Sequence, residues 1–254
     1  MNELLAHTDK FMLVLIRTSG VVMLAPMFGA ATVPMRIKAA FVLLLSLLLT
    51  PLVGGAAPVA SSLPAYGVLV FRELIVGLTM GFTAILTFGS FQIAGGFIGR
   101  QMGLALGRLA DPLYDQPASA LGQFHYTLGM LIFLALNGHH WFLRALSASF
   151  ASVPLGGSAL SGPIINGLTA RFMSLFSAGL KMAAPAVCVL VLITISLAML
   201  ARAAPLLNML MISISLRIAV GLVLVGSLIP YTYKFGKVLL YGMRADLALL
   251  IRAL

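Results

Sequence analysis

The chain is predicted to fold as an all-α membrane protein, with helical hairpins packed into one multi-helix domain. Two observations predict this class. Of its 254 residues, 61% are hydrophobic and 9% are charged, whereas a water-soluble domain needs more polar side chains to cover its surface. Apolar segments also follow one another along the chain, and about 20 such residues cross a bilayer. We therefore expect roughly six to eight spanning or half-spanning helices.

Prolines, glycines and charged residues separate the apolar segments and set the expected elements. These segments cover about residues 11–33, 39–53, 66 to beyond 99, 119–150, 164–200 and 206–230. Lys181 and Pro185 are expected to break the fifth segment. Asp111-Pro112 and Pro117 indicate a polar, non-helical stretch after the third.

The segment after Pro230 is basic on one side. On a helical wheel its cations share a sector of about 80°; they are Lys234, Lys237, Arg244 and Arg252. Two interpretations are open. The segment is either an amphipathic helix lying on an anionic membrane surface or a last core helix whose basic side chains reach the interface.

Glycines recur at a spacing of four residues in the third apolar segment. The two series are Gly77 and Gly81, and then Gly95, Gly99, Gly103 and Gly107. On a helix, residues four apart lie on one ridge, and a ridge without side chains allows another backbone to approach closely. The spacing therefore predicts tight helix packing at these positions.

The positive charges predict membrane orientation and contact with anionic lipid. Sixteen Lys and Arg against six Asp and Glu give a net charge of +10, but the cations are dispersed at segment ends, so nucleic acid is not an expected partner. Six full crossings would place the basic C-terminal segment outside the cell, against the positive-inside rule. Either one segment does not cross, or the segments form hairpins that do not cross in simple alternation, and both alternatives argue against an ordinary six-span carrier.

Four cations lie within or between apolar segments: Arg17, Lys181, Arg202 and Arg217. Each would cost roughly 2.5–3.5 kcal/mol at the bilayer centre. Acids are few, and Glu73 neighbours Arg72 in the sequence. We therefore expect these cations to meet backbone carbonyls, water or acidic groups of other subunits, or else to reach the membrane interface.

The sequence contains no constellation typical of an enzyme, a metal site or a cofactor site. His139 and His140 are adjacent, so a helix would point them in different directions. Ser90 after Gly89 is a weak candidate for an intramembrane hydrolase. A small-solute carrier is a further alternative, although it would be expected to carry ionisable residues at the membrane midplane.

Several strings, in a fixed order, resemble the flagellar biosynthetic protein FliR family, which is related to the export-gate subunit of injectisome type III secretion systems. The strings are residues 11–20 (FMLVLIRTSG), 25–29 (APMFG), 33–36 (VPMR), 92–95 (QIAG), 101–103 (QMG), 111–112 (DP), 131–140 (LIFLALNGHH) and 201–208 (ARAAPLLN). Together they cover about residues 10–230, and the Asn137-Gly138-His139 string and the chain length favour the flagellar branch.

The resemblance implies a subunit of a type III export gate in the bacterial inner membrane, at the flagellar basal body. In that family the subunit joins FliP- and FliQ-type subunits in a helical closed-pore assembly, with FlhB- and FlhA-type proteins alongside, and unfolded proteins are exported. No enzymatic activity and no cofactor are implied. Residues 10–155 would form a FliP-like part, and residues 160–254 a FliQ-like part.

The resemblance also implies roles for individual residues. The loop at residues 103–123 corresponds to a segment that helps to plug the pore, and its candidate residues are Arg108, Asp111, Pro112 and Tyr114. Candidates for structural or subunit contacts are Arg17, Pro26, Pro34, Asn137, Gly138, His139, Arg202, Pro205 and Asn208.

Overall fold

The structure is a computed structural model that describes residues 2–30, 32–55, 58, 62–104, 119–157, 162–203 and 209–253. In this part of the chain all regular structure is helical, which confirms the predicted fold class. The helices are α1 (Asn2–Leu24), α2 (Met35–Leu49), α3 (Leu63–Gln101), α4 (Ala120–Ala135), α5 (Gly138–Ser152), α6 (Gly162–Ala203), α7 (Met209–Ser227) and α8 (Ile229–Ala253).

The chain divides into two compact units that do not follow chain order. Unit 1 comprises Met1–Thr87, Leu134–Phe172 and Leu240–Leu254, and unit 2 comprises Phe88–Phe133 and Met173–Leu239. The long helices α3, α6 and α8 each contribute residues to both units. The predicted FliP-like and FliQ-like parts concern similarity to other subunits of the export gate. The division into compact units does not test this similarity, so it stays a prediction.

Two helices, α3 and α6, are long and apolar enough to cross a membrane. Within the described residues, the number rises to four if each of the bent pairs α4–α5 and α7–α8 is counted as one span. At a rise of 1.5 Å per residue, the 39 residues of α3 and the 42 of α6 measure about 58 and 63 Å. Both lengths are about twice the hydrocarbon thickness of a bilayer.

Each unit has an apolar interior. In unit 1, α1, α3, α5 and α8 contribute fully buried side chains, including Leu13, Val14, Met80, Leu146, Leu240, Met243 and Leu247. In unit 2, the ring of Phe88 lies 5.4 Å from that of Phe133 and 5.8 Å from that of Tyr126, measured between centroids.

Two predicted helical segments differ from the observed helices. Helix α1 ends at Leu24 rather than near Val33, because the residue before Pro26 is disfavoured in helical conformation. The predicted segment 119–150 is two helices, α4 and α5, because Asn137 adopts a left-handed conformation with φ of 55°. Asn tolerates this conformation better than most residues.

The predicted break at Lys181 and Pro185 is wrong, since α6 runs unbroken past both residues. Pro185 has no N–H, so the carbonyl of Lys181, four residues earlier, loses its helical donor. The Tyr231 hydroxyl donates to this carbonyl at 3.0 Å. A side chain from α8 thereby satisfies the group that the proline leaves free, as neighbouring helices do in membrane proteins.

The burial pattern of helix α8 decides between the two interpretations of the basic C-terminal segment. Leu240, Met243 and Leu247 are buried, whereas Lys234 and Arg244 are exposed. The C-terminal half of the helix is therefore packed into the interior of unit 1. This arrangement agrees with a last core helix and does not agree with a helix that only lies on a membrane surface.

Candidate functional site

A buried ion pair lies in the interior of unit 1. The Arg17 side chain on α1 is 0% exposed, and the Glu73 side chain on α3 is 1% exposed. Arg17 Nε donates to Glu73 Oε2 at 2.6 Å, and Arg17 Nη2 donates to Glu73 Oε1 at 3.1 Å. This two-point contact is the strong geometry for a guanidinium and a carboxylate.

The remaining donors of Arg17 bond to the end of α5. Nη1 donates to the carbonyls of Ser149 and Val153, each at 3.1 Å, and Nη2 also donates to the Val153 carbonyl at 3.1 Å. The guanidinium carbon lies 4.4 Å from the centroid of the Phe150 ring. All five N–H groups of Arg17 are therefore used, and one side chain joins α1, α3 and α5.

The carboxylate of Glu73 also holds the loop that follows α5. Glu73 Oε1 accepts a hydrogen bond from the Gly156 N–H at 2.7 Å, and Arg72 Nη1 donates to the Gly156 carbonyl at 3.0 Å. Gly156 has a φ of 76°, a conformation that favours glycine. Adjacent charged residues on α3 thus bind both backbone groups of one loop glycine.

This network corrects the prediction that Arg17 lacks an acidic partner within the chain. The expectation of backbone carbonyls is confirmed, but Glu73 pairs with Arg17 and not with its neighbour Arg72. A signal for this pair was present in the sequence. Arg17 and Glu73 both lie in apolar segments, and two buried charges of opposite sign are far more stable together than apart.

The first glycine series lies against α1. A Cβ added to Gly77 would collide with the carbonyl of Arg17 and would lie 3.1 Å from the Cα of Gly20; one added to Gly81 would lie 2.6 Å from the Leu24 Cβ. Gly20, which sequence reasoning did not single out, faces α3 in the same way, because its own added Cβ would lie 3.1 Å from the Gly77 Cα.

The second series is divided by the end of α3. A Cβ at Gly95 would collide with the Leu121 carbonyl of α4, whereas one at Gly99 would make ordinary contacts at 3.7 Å. Helix α3 ends at Gln101, so the prediction that Gly103 continues the ridge is wrong. Gly103 has a φ of 84° in the turn that follows, where glycine has little steric cost.

The remaining predicted residues lie apart from the ion pair. Pro26 follows the end of α1, Pro34 is the residue before α2, and Asn137, Gly138 and His139 form the turn into α5. His139 and His140 have ring centroids 4.2 Å apart. Among the described residues, no group of three or more His, Cys, Asp or Glu is placed to hold a metal ion.

The cations of unit 2 differ from Arg17. Lys181 and Arg202 are exposed, and the described residues include no carboxylate within 4.0 Å of either. Arg217 Nε donates to the Ser213 carbonyl on its own helix at 3.1 Å. The other predicted residues lie outside the described part of the chain; they are Gly107, Arg108, Asp111, Pro112, Tyr114, Pro205 and Asn208.

The chain is similar to bacterial export proteins over most of its length. Residues 9–243 match the family described as bacterial export proteins, family 1. The chain is 29% identical to the flagellar biosynthetic protein FliR of Escherichia coli (strain K12), over 92% of this chain and 90% of that protein. It is 30% identical to FliR of Bacillus subtilis (strain 168), over 88% of this chain and 87% of that protein.

A further similarity covers a smaller part of the chain. The chain is 31% identical to the surface presentation of antigens protein SpaR of Shigella flexneri, over 59% of this chain and 57% of that protein. The match to the family over residues 9–243 and the matches to FliR proteins cover far more of the chain. The chain therefore belongs to the bacterial export proteins, family 1, the family of the flagellar biosynthetic protein FliR.

Proposed function

We propose that this chain is the FliR-type subunit of the flagellar type III protein export gate in the bacterial inner membrane. The observation that carries the proposal is its similarity to FliR proteins over about nine tenths of its length. The role is structural, in transport, and involves no catalysis by this chain. Unfolded flagellar proteins are the exported substrates.

The partners in this proposal are FliP-, FliQ-, FlhB- and FlhA-type subunits. Support comes from the surface of the chain, because α6 and α7 expose large apolar side chains in unit 2. These include Met173, Leu180, Leu192, Met199, Met211 and Val223. Lipid and other subunits are the two environments that can cover such a surface, and helices about twice the bilayer thickness exceed what lipid alone covers.

The pore plug is also part of the proposal. We assign it to the loop around Asp111 and Pro112, on the strength of the resemblance described above. Glycine contacts such as those of Gly77 and Gly95 would keep the helices that carry the loop in place, and the Arg17–Glu73 pair would anchor α1 and α5 to α3. The packed helices contribute the frame, and the loop acts on the exported protein.

Co-purification tests the proposed partners. A tagged copy of the chain is produced alone and together with FliP- and FliQ-type subunits from the same bacterium. We expect a stable complex only in the second case. A monodisperse chain that remains alone when the other subunits are present would contradict the proposal, and substrate uptake by that chain in liposomes would identify a carrier.

Complementation distinguishes the flagellar system from the injectisome. The similarity to SpaR is the observation that favours the second system. Deletion of the gene should abolish flagellar filaments and swimming, and a plasmid copy should restore both. Normal swimming together with lost secretion of injectisome substrates would assign the chain to the injectisome.

A further inference from the structure

A basic and aromatic cluster lies in unit 1 at the start of α5 and in the C-terminal half of α8. Trp141 is the single tryptophan of the chain. Its ring centroid lies 5.4 Å from that of Tyr241, and the guanidinium carbon of Arg244 lies 5.5 Å from its centroid. Arg144 lies three residues after Trp141, on the same side of α5. We call these four residues the Trp141 cluster.

The charges of this cluster are not neutralised by the described part of the chain. Arg144 and Arg244 are exposed, and neither lies within 4.0 Å of a described carboxylate. The two acids that are buried among the described residues of unit 1 are engaged elsewhere, because Glu73 pairs with Arg17 and Asp246 pairs with Arg171. The cluster therefore has Arg244 beside the two aromatic rings and Arg144 one helical turn after Trp141, with no counter-ion among the described residues.

The position of the cluster in the chain is typical of a membrane–water interface. Residues 119–143 carry no Lys, Arg, Asp or Glu, and Arg144 is the first charge after this apolar stretch. Trp and Tyr concentrate at headgroup level, because one end of each ring system is apolar and the other forms hydrogen bonds. Guanidinium groups at the same level can bind phosphate oxygens with two parallel hydrogen bonds.

We propose that the Trp141 cluster binds the phosphate headgroup of an anionic phospholipid, with Arg144 and Arg244 contacting the phosphate and Trp141 and Tyr241 lying against the lipid below it. The proposal concerns how the chain is anchored at one face of the bilayer. It depends on the chain residing in a membrane but not on which export system it serves.

The single tryptophan provides a direct measurement. The protein, with whatever subunits accompany it, is purified through a tag on this chain and placed in vesicles. These contain dibrominated phosphatidylglycerol or dibrominated phosphatidylcholine at increasing fractions, and bromine quenches tryptophan fluorescence at short range. Subtracting the signal of the Trp141→Phe variant isolates the fluorescence of Trp141 from that of any other subunit.

We expect half-maximal quenching at about a tenfold lower fraction of the anionic lipid, since basic residues near the surface each strengthen binding to anionic membranes. The Arg144→Gln/Arg244→Gln variant should make the two lipids equivalent. The matched control is Arg36→Gln/Arg100→Gln, which removes two exposed arginines elsewhere, one of them stacked on Phe97 at 4.7 Å. It should keep the preference.

Three outcomes would overturn the proposal. Equal quenching of the wild-type protein by both lipids would show an aromatic anchor without headgroup recognition. The absence of quenching by either lipid would show that protein, such as an acidic segment of another subunit, covers the cluster. Loss of the preference in the control would show a general charge effect. The wild-type comparison needs only the conservative Trp141→Phe variant to fold, and swimming assays test the export function separately.

Discussion

Helices α3 and α6 are similar in length and composition but differ in what surrounds them. Of the most apolar 18-residue stretch in each, 67% is buried within the chain for α3 and 17% for α6. Helix α3 carries Glu73, Gly77 and Gly95, whose partners are on α1, in the loop after α5 and on α4. Helix α6 carries exposed apolar side chains and the exposed cations Lys181 and Arg202. Helix α3 is therefore covered largely by its own chain, whereas α6 leaves most of its surface for lipid or other subunits to cover.

The largest expected effect comes from breaking the ion pair that anchors α3. Glu73→Leu leaves the Arg17 charge buried without a partner, which typically costs about 3–5 kcal/mol. We expect a strong loss of protein from the membrane fraction and a lower melting temperature in detergent. Arg72→Gln, a change at the exposed neighbouring residue, is the matched control and should have a small effect.

A double variant sharpens this prediction. Arg17→Met/Glu73→Leu removes both charges, and apolar pairs of similar volume often replace a buried ion pair at little cost. The protein level should recover in large part relative to Glu73→Leu. If the double variant is as unstable as the single one, the hydrogen bonds to Val153 and Gly156, and not the pairing of charges, stabilise this site.

A pair of leucines tests the two sides of α6. Leu190 is 0% exposed and Leu192 is 64% exposed. Leu190→Ala should destabilise the protein by about 2–5 kcal/mol in detergent unfolding, as expected for a buried leucine. Leu192→Ala should leave this stability nearly unchanged and should weaken co-purification of the proposed subunits. Unchanged co-purification would indicate that lipid covers Leu192.

The glycine contacts of α3 predict an intermediate effect. The added methyl group of Gly77→Ala would collide with the Arg17 carbonyl, so α1 must move away, and overpacking of this kind costs about 1–3 kcal/mol. Gly95→Ala should behave in the same way against Leu121, whereas Gly99→Ala has room and should be tolerated. Similar melting temperatures for the Gly95 and Gly99 variants would contradict the close α3–α4 contact.

The smallest expected effect has the opposite sign. Gly67 lies in α3 with no atom within 4 Å of an added Cβ. Gly67→Ala should stabilise the protein by up to about 1 kcal/mol, because alanine favours a helix more than glycine does. A destabilised variant, measured by detergent unfolding, would indicate that another subunit approaches α3 at this position.

Particular residues show why the sequence predicted some features and not others. Helix-breaking at Pro26 is a local effect of backbone geometry, so the sequence around this residue is enough to predict the end of α1. The continuity of α6 through Pro185 depends on Tyr231, which lies 50 residues from Lys181 along the chain. The pairing of Arg17 with Glu73 spans 56 residues. Contacts over such separations leave no periodic pattern in the sequence, although the placement of two opposite charges in apolar segments favours the second pairing.

Composition and the succession of apolar segments are enough to predict that this chain is helical and lies in a membrane, because apolar side chains must avoid water and their backbone must bond internally. Short strings of residues indicated the export family. The packing of the helices shows which cation is neutralised within the chain, which glycines face another backbone and which apolar helix stays uncovered. The reason is that packing joins residues far apart in sequence, and a contact exists only once both helices have taken their places.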